Sequence, residues 1–483
     1  MDVRLTDGKI AKSLLLFSLP MMAGNLLQQL YNIADTFIVG QTIGATALSA
    51  VGSSYSLMVL LTSVILGLCM GSGVVFSQFY GAGWTDELKS SIFNAFFIIF
   101  VVSALINGVA FLLLEHCIVW LRIPEQAVAY TREYLQIIFT GIMATCIYNF
   151  FAAILRSIGN TTIPLLFLAL SAVTNIVLDI VFIVSFHMGV AGAAWATVIS
   201  QYLSAICIVF YFFRKAPGLC PQKRHMRFQK VLMQFILSNS SLTAIQQSIM
   251  NFGILMVQGL VNSFGFAASA AFAAVVKIDA FAYMPAQDFG NAFSTFIAQN
   301  YGARKSERIH KGVRAAILIS SLFCVVSSLC VCLFAEPLLL MFIKPEESEI
   351  LRIGVQYLYI EGSCYIGIGI LFLLYGFYRG IKSRHVHCAD SNLIGNASCS
   401  GLCLILHTSP GNDRNLAGSS HRMAACRSYW RNSLLALQTQ KCIQRFFSGC
   451  CSISIDISIK AHAGSQLRMR FYRDIDLYFL IRR

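Results

Sequence analysis

Charged residues are scarce in this chain of 483 residues. Asp, Glu, Lys and Arg together make up 12% of it, the hydrophobic fraction is 57%, and the mean hydropathy is +0.69. A soluble domain carries about 25% charged residues. The chain therefore has too few polar side chains to cover soluble domains of this total length, and its composition indicates a membrane protein.

Sequence patterns of catalysis and of disulfide scaffolds are also missing. The apolar segments contain no HExxH, GxSxG or Walker A motif, which argues against a membrane-embedded enzyme. The cysteines are scattered through apolar runs, as at Cys69 and Cys324, and this favours single packed thiols over a disulfide framework. The first apolar run contains Asn32 and Asp35 and is too long for a secretory signal peptide.

The chain instead contains many long apolar segments. A helix needs about 20 mostly apolar residues to cross a bilayer, and this rule predicts six spans before a polar stretch and four after it. The first six lie near 13–40, 46–77, 90–114, 130–154, 164–186 and 190–213, and the last four near 231–263, 266–299, 313–335 and 353–378. We expect an all-α polytopic membrane protein.

These spans predict four regions. An N-terminal six-helix bundle occupies 1–213, a basic linker 214–230, and an incomplete C-terminal bundle 231–382. From 383 to 483 the composition changes abruptly: Ser, Cys, His and Arg become frequent, and no apolar run of 20 residues remains. A soluble zinc-binding tail is one interpretation, although its His and Cys spacing fits no standard ligand pattern. We favour a frameshift near residue 382 and a disordered tail.

The basic residues predict the orientation, because Lys and Arg near span ends mark the cytoplasmic side. Besides those in the linker, the basic residues on one side are Arg4, Lys9, Lys12, Lys89, Arg156, Arg304, Lys305, Arg308, Lys311 and Arg314. This places the N-terminus and the linker in the cytoplasm of a multi-pass protein. The net charge of +14 is then mostly a topology signal, and nucleic-acid binding is not expected.

Two stretches about 220 residues apart are nearly the same, which indicates a duplicated bundle. Ser77-Gln78-Phe79-Tyr80-Gly81-Ala82 reappears as Ala298-Gln299-Asn300-Tyr301-Gly302-Ala303. Leu155-Arg156-Ser157-Ile158-Gly159 is echoed by Tyr378-Arg379-Gly380-Ile381-Lys382. Two homologous bundles of six spans each are expected, of which about ten spans are recognisable. Hydrophobic chains built this way are typical of transporters.

Six stretches carry a family resemblance. They are Leu19-Pro20, Leu30-Tyr31-Asn32-Ile33-Ala34-Asp35-Thr36, Ser77-Gln78-Phe79-Tyr80-Gly81-Ala82, Arg156-Ser157-Ile158-Gly159-Asn160-Thr161, Asn175-Ile176-Val177-Leu178-Asp179 and Gly189-Val190-Ala191-Gly192-Ala193-Ala194-Trp195-Ala196-Thr197. Over residues 8–382 the chain resembles a bacterial multidrug and toxic compound extrusion (MATE) transporter. The resemblance implies two six-helix bundles that export amphipathic organic cations in exchange for Na⁺ or H⁺.

Two acidic residues inside predicted spans are the main site candidates. An Asp at mid-membrane costs about 2.5–3.5 kcal/mol, which Asp35 and Asp179 would recover by binding a proton or a hard cation. Asn175 lies one helical turn before Asp179, and Thr197 adds a hydroxyl from the next span. The resemblance implies this same quartet as the ion-coupling site, while a hydrogen-bonded network that only joins helices is the alternative.

Other polar residues in the spans are candidates for a cavity lining or for helix–helix bonds. They are Asn25, Gln28, Gln29, Asn32, Gln246, Gln247, Asn251 and, as an apolar contact, Met256. Pro20 is a candidate kink, because proline removes a backbone hydrogen bond; the resemblance implies that bending there follows protonation of the acid. Lys277 and Asp279 are near neighbours and are expected to neutralise each other.

The leading hypothesis is an antiporter that uses Na⁺ or H⁺ to export amphipathic organic cations by alternating access. The coupling ion is the only cofactor and the only metal expected. Membrane lipid and small amphipathic cations are the expected partners, the chain is expected to be a monomer, and the bacterial cytoplasmic membrane is the expected location. A flippase of lipid-linked precursors, which needs a cationic cavity, and a non-functional truncated transporter are the alternatives.

We predict that the DNA beyond codon 382 encodes two apolar spans of about 20 residues in another reading frame. The reason is that the first half continues with two more spans after Arg156, whereas the second half does not after Arg379. Sequencing the gene from codon 375 to codon 483 and translating all three frames tests this. If neither alternative frame contains such spans, the frameshift hypothesis is wrong.

Overall fold

All regular elements in the described part of the chain are helices. A computed structural model describes residues 3–120, 123, 125–262 and 266–381. The helices are α1 (Ile10–Thr42), α2 (Ala45–Ala82), α3 (Thr85–Leu112), α4 (Leu114–Trp120), α5 (Glu125–Ser157), α6 (Thr162–Asp179), α7 (Gly189–Lys215), α8 (Lys230–Asn262), α9 (Phe266–Gly302), α10 (Ser306–Leu333), α11 (Ala335–Leu340) and α12 (Ser348–Ile381). A π-helix, Ile180–Ser185, extends α6, and a 3₁₀ turn, Pro217–Leu219, follows α7.

The ten long helices confirm the predicted all-α polytopic fold, with ends that differ from the predicted spans by up to seven residues. Within the described residues, nine are long and apolar enough to cross a membrane. The exception is α8, where amide side chains such as Gln246, Gln247 and Asn251 interrupt the apolar sequence. The short helices α4 and α11 were not predicted, because each has too few residues to resemble a span.

The helices fall into two groups, for which we use the names first bundle (α1–α7) and second bundle (α8–α12). In the first, α5 packs on α2 and α7, and α6 packs on α1 and α7. In the second, α12 packs on α9 and α10. Helix α8 packs mainly on α2, and α1 packs on α9, so both helices join the two bundles. The predicted tail at 383–483 lies outside the described residues.

Four connections and the N-terminal segment share one end of the helices, the linker side. These connections are the α2–α3 and α5–α6 turns, the linker and the α9–α10 turn. The linker is tied to α3 there: His225 Nε2 lies 3.0 Å from Asp86 Oδ1, and the Arg224 guanidinium donates to the same oxygen. Asn94 Nδ2 donates to the Arg227 carbonyl at 3.1 Å. These bonds fix where α8 begins, beside the first bundle.

Small residues bring α2 and α8 into close contact. Gly67 faces Ala244 and Gly71 faces Ser240, each so closely that a Cβ would meet the opposing backbone. The hydroxyls of Ser72 and Ser240 are 2.8 Å apart in the same contact. Such close approach is the usual means of joining helices in a membrane, where apolar burial gives no net attraction.

Gly71→Val should destabilise the protein by about 1–3 kcal/mol through overpacking, because a Cβ at Gly71 would lie 2.5 Å from Ser240 Cα. The matched control is Gly108→Val in α3, where nothing lies within 4 Å of the added Cβ; both variants change helix propensity equally. Thermal unfolding of the purified protein in detergent measures the difference. Equal melting temperatures for the two variants would contradict this account of the α2–α8 contact.

Candidate functional site

Four predicted residues come together in the first bundle, near the ends of the helices opposite the linker side. Asp35 comes from α1, Asn175 and Asp179 from α6, and Thr197 from α7. Asn175 Nδ2 donates to Thr197 Oγ1 at 3.4 Å, and the Asp35 and Asp179 carboxylates are close enough to repel each other when both are charged. At 1.5 Å per residue, Asp35, Asp179 and Thr197 lie about 9–12 Å from their helix ends.

The oxygen atoms of this site lack donors. Asp179 Oδ1 and Oδ2, Asp35 Oδ1 and Asn175 Oδ1 are buried without a hydrogen-bond partner, and among the described residues no Lys, Arg or His forms an ion pair with either carboxylate. Unpaired buried acceptors are costly. Several convergent oxygens without donors are the set that a hard cation such as Na⁺ binds, or that a proton relieves.

The backbone and one aromatic residue complete this first acidic pair, Asp35 and Asp179. Directly after Asp179 the α6 helix widens into the π-helix Ile180–Ser185, a rare geometry that is frequent at functional sites. Tyr134 of α5 is buried and lies within electrostatic range of both carboxylates. The sequence analysis did not identify Tyr134 as part of this site.

The second bundle contains another acidic pair, Asp279 of α9 and Glu361 of α12. The two carboxylates interact electrostatically. The prediction that Lys277 neutralises Asp279 is wrong, because Lys277 is exposed and its ammonium lies 5.7 Å from the centre of the Phe342 ring. Residues two apart on a helix point in different directions, so Asp279 lies on the buried face without Lys277.

Tyrosines surround this second acidic pair. Tyr365 lies beside Asp279, and Tyr357 lies beside Glu361. Asp279 Oδ1 and the Tyr365 hydroxyl are both buried, and they face each other without a bond of good geometry. Across the described residues no group of three or more His, Cys, Asp or Glu has the arrangement of a protein metal site.

A row of tyrosines connects the two acidic pairs across the bundle boundary. Tyr31 of α1 lies within electrostatic range of Asp35 and of Tyr55 on α2. Tyr283 of α9 lies within range of Tyr55 and of the second acidic pair. Tyr55 lies between Tyr31 and Tyr283 in this row. The tyrosines of α1, α2 and α9 therefore extend from one acidic pair toward the other.

The predicted cavity-lining residues of α1 are placed against the other bundle. Asn25 Nδ2 donates to Asp288 Oδ1 at 2.6 Å, and Gln29 Nε2 lies 3.0 Å from the Met284 sulfur. Asn32 donates to Gln29 at 3.5 Å. Of the two roles left open by the sequence, Asn25 and Gln29 have the helix-joining one. Gln28 lies next to Tyr31, within the tyrosine row.

The other candidates are spread along α8 and α1. Gln246 is buried and its Oε1 lacks a partner, whereas Gln247 and Asn251 are half-buried. The side chain of Met256 lies outside the described residues. Helix α1 runs continuously through Pro20, so a bend that follows protonation stays a prediction.

Glu361 and the tyrosines were missed because their association depends on how the helices pack, which the sequence does not show. One sequence feature points to two of them: Tyr134-Leu135 and Tyr357-Leu358 occupy matching positions before the repeated arginines Arg156 and Arg379. Each of these tyrosines adjoins an acidic pair in its own bundle.

Curated proteins with similar sequences are bacterial. "Probable multidrug resistance protein YpnP" of Bacillus subtilis (strain 168) is 31% identical over 379 residues, which cover 77% of this chain and 83% of that protein. "Probable multidrug resistance protein NorM" of Thermotoga maritima is 27% identical over 358 residues, which cover 72% of this chain and 76% of that protein.

Solved structures have the same fold. A MATE protein in complex with MaL6 superposes with a TM-score of 0.77 at 20% identity, covering 85% of this chain and 92% of that one. The outward-facing conformation of a multidrug resistance MATE family transporter of the MOP superfamily gives a TM-score of 0.73 at 22% identity, covering 81% and 87%.

The family model for MatE matches residues 20–181 and 243–388. These two segments contain both acidic pairs and both copies of the repeat. Since they make up more than half of the sequence, and YpnP is similar over most of its length, this chain belongs to the MatE (multidrug and toxic compound extrusion) family.

Proposed function

We propose that this protein is a multidrug efflux antiporter of the bacterial cytoplasmic membrane that exports amphipathic organic cations in exchange for Na⁺ or H⁺. The observation that carries the proposal is the first acidic pair, Asp35 and Asp179, whose buried oxygens have no donor. The curated relatives named for multidrug resistance support the substrate class. The bias of basic residues supports a cytoplasmic N-terminus and linker.

The coupling ion binds at the first acidic pair in this proposal. Asn175 donates to Thr197 and its Oδ1 has no donor, so this oxygen is available to a bound ion. A cation or proton that binds there removes the repulsion between Asp35 and Asp179. An ion shifts a conformational equilibrium only if it binds one state better than the other. Relief of the repulsion between Asp35 and Asp179 gives the ion a higher affinity for the state in which these carboxylates are close.

The organic cation binds at the second acidic pair and along the tyrosine row in this proposal. Aromatic faces attract cations that carry apolar groups, by about 0.5–2 kcal/mol each. Asp279 and Glu361 supply the opposite charge, and Tyr283 and Tyr55 extend the surface toward the first bundle. Separate sites in the two bundles allow the ion and the substrate to favour opposite conformations of the transporter.

Asp35→Asn and Asp179→Asn should each abolish gradient-driven efflux of a cationic dye. Asn keeps the size and one oxygen but cannot take up a proton or carry charge, so the ion no longer distinguishes the two states. Dye efflux from vesicles under an imposed Na⁺ or H⁺ gradient measures the loss. Glu133→Gln changes an exposed carboxylate on α5 and should leave efflux intact. Near-normal efflux in both Asp variants would refute the coupling assignment.

Asp279→Asn and Glu361→Gln should weaken binding of ethidium at least about tenfold, because each removes a buried charge that faces the ligand. Fluorescence anisotropy of the purified protein measures the dissociation constant without any gradient. Glu347→Gln, an exposed carboxylate before α12, is the matched control. If the affinity of both variants equals that of the control, ethidium does not bind at this pair.

A further inference from the structure

The repeated sequence around Gln78 and Gln299 lies where α2 and α9 cross on the linker side. Gln78 Nε2 donates to the Gly380 carbonyl of α12 at 2.8 Å. Gln299 Nε2 donates to the Ser157 carbonyl of α5 at 2.7 Å. Each bond runs from one bundle to the other, and each acceptor directly follows a repeated arginine. The pair is thus related by the internal repeat.

The backbones at this crossing are in direct contact. A Cβ at Gly81 would collide with the Gln299 carbonyl, and a Cβ at Gly302 would collide with the Gln78 carbonyl. Both glutamines are buried, with 7% and 1% of their surface exposed. Neither water nor a substrate can pass between helices packed this closely.

The N-terminal segment covers the same crossing. Val3 N donates to the Gly159 carbonyl at 3.0 Å, which ties the segment to the first bundle. Leu5 is fully buried, and its carbonyl accepts from Asn300 and Arg308 of the second bundle at 3.2 and 3.1 Å. The segment therefore spans both bundles outside the glutamines.

The ionic contacts of the segment lie in water rather than in the bilayer. Lys305 Nζ is 2.8 Å from Asp7 Oδ1, and this ammonium holds the pKa of the exposed Asp7 carboxyl below its usual range. Arg308 donates to the Asp7 and Gly8 carbonyls at 2.6 and 2.7 Å. Exposed contacts of this kind add little stability. The N-terminal segment can therefore separate from the second bundle when the linker side opens.

We infer that Gln78 and Gln299 form a reciprocal clasp that holds the linker side shut, and that this clasp is the gate on that side during transport. The gating role rests on the proposed alternating access, whereas the clasp itself does not. Opening toward the linker side requires both glutamine bonds to break together, because each joins the same two bundles. The residues position the bundles and do not touch ion or substrate.

Gln78→Met and Gln299→Met test the clasp, since methionine has a similar size but no amide donor. Hydrogen–deuterium exchange of the full chain in nanodiscs, followed by mass spectrometry, should show faster exchange in peptides covering 3–9, 77–85 and 298–306. The opening equilibrium should rise about fivefold for each lost bond. Gln136→Met, at an exposed position of α5, should change nothing.

Each outcome decides the inference. Faster exchange confined to these peptides, together with reduced dye efflux, supports a gate. Unchanged exchange refutes the clasp, and faster exchange throughout the protein shows general destabilisation and refutes it too. Faster local exchange with normal efflux refutes the gating role. If the wild type shows no gradient-driven efflux, the proposed function fails, while the exchange measurements still decide whether the clasp exists.

Discussion

A carboxylate among apolar helices needs a cation or a proton, because the bilayer core has no water to solvate it. Asp35, Asp179 and Asp279 each have buried oxygens without a donor, and Lys277, the one nearby ammonium on α9, points elsewhere. A static protein has little reason to retain such groups. A proton or cation bound at either pair would recover this cost, and its occupancy would then be linked to stability.

The two bundles meet through contacts of different kinds. The α2–α8 contact is made mainly by small residues that touch along their backbones, with the Ser72 and Ser240 hydroxyls 2.8 Å apart in the same contact. The α1–α9 contact instead includes a bond from the Asn25 amide to the buried Asp288 carboxylate. In the proposed alternating access, the backbone contact of α2 and α8 is suited to act as a pivot, and the side-chain bond of α1 and α9 is suited to an exchange of partners.

The sequence predicts both residues of the first acidic pair, but it does not predict that Asp279 pairs with Glu361. Asp179 and Asn175 are one helical turn apart, so a single helix brings them together, and the predicted quartet is adjacent in the fold. Asp35 joins them from a distant helix, and the resemblance is what indicated this. Asp279 and Glu361 also come from different helices, and only the packing of α12 on α9 reveals that they meet. Lys277 and Asp279 are close in sequence but do not pair, because side chains two residues apart leave a helix in different directions.

The two halves of this chain are alike at the crossing of α2 and α9 and differ at their acidic pairs. Gln78 and Gln299 occupy matching positions and make matching bonds. Tyr134 and Tyr357 also occupy matching positions, each near an acidic pair. The acids themselves do not match in position along the two halves. If both bundles bound the same ion, neither bundle would provide a site for a second kind of ligand. In the proposed mechanism, different acids on a common frame let one bundle respond to an inorganic ion and the other to an organic cation, while both bundles open and close through the same crossing.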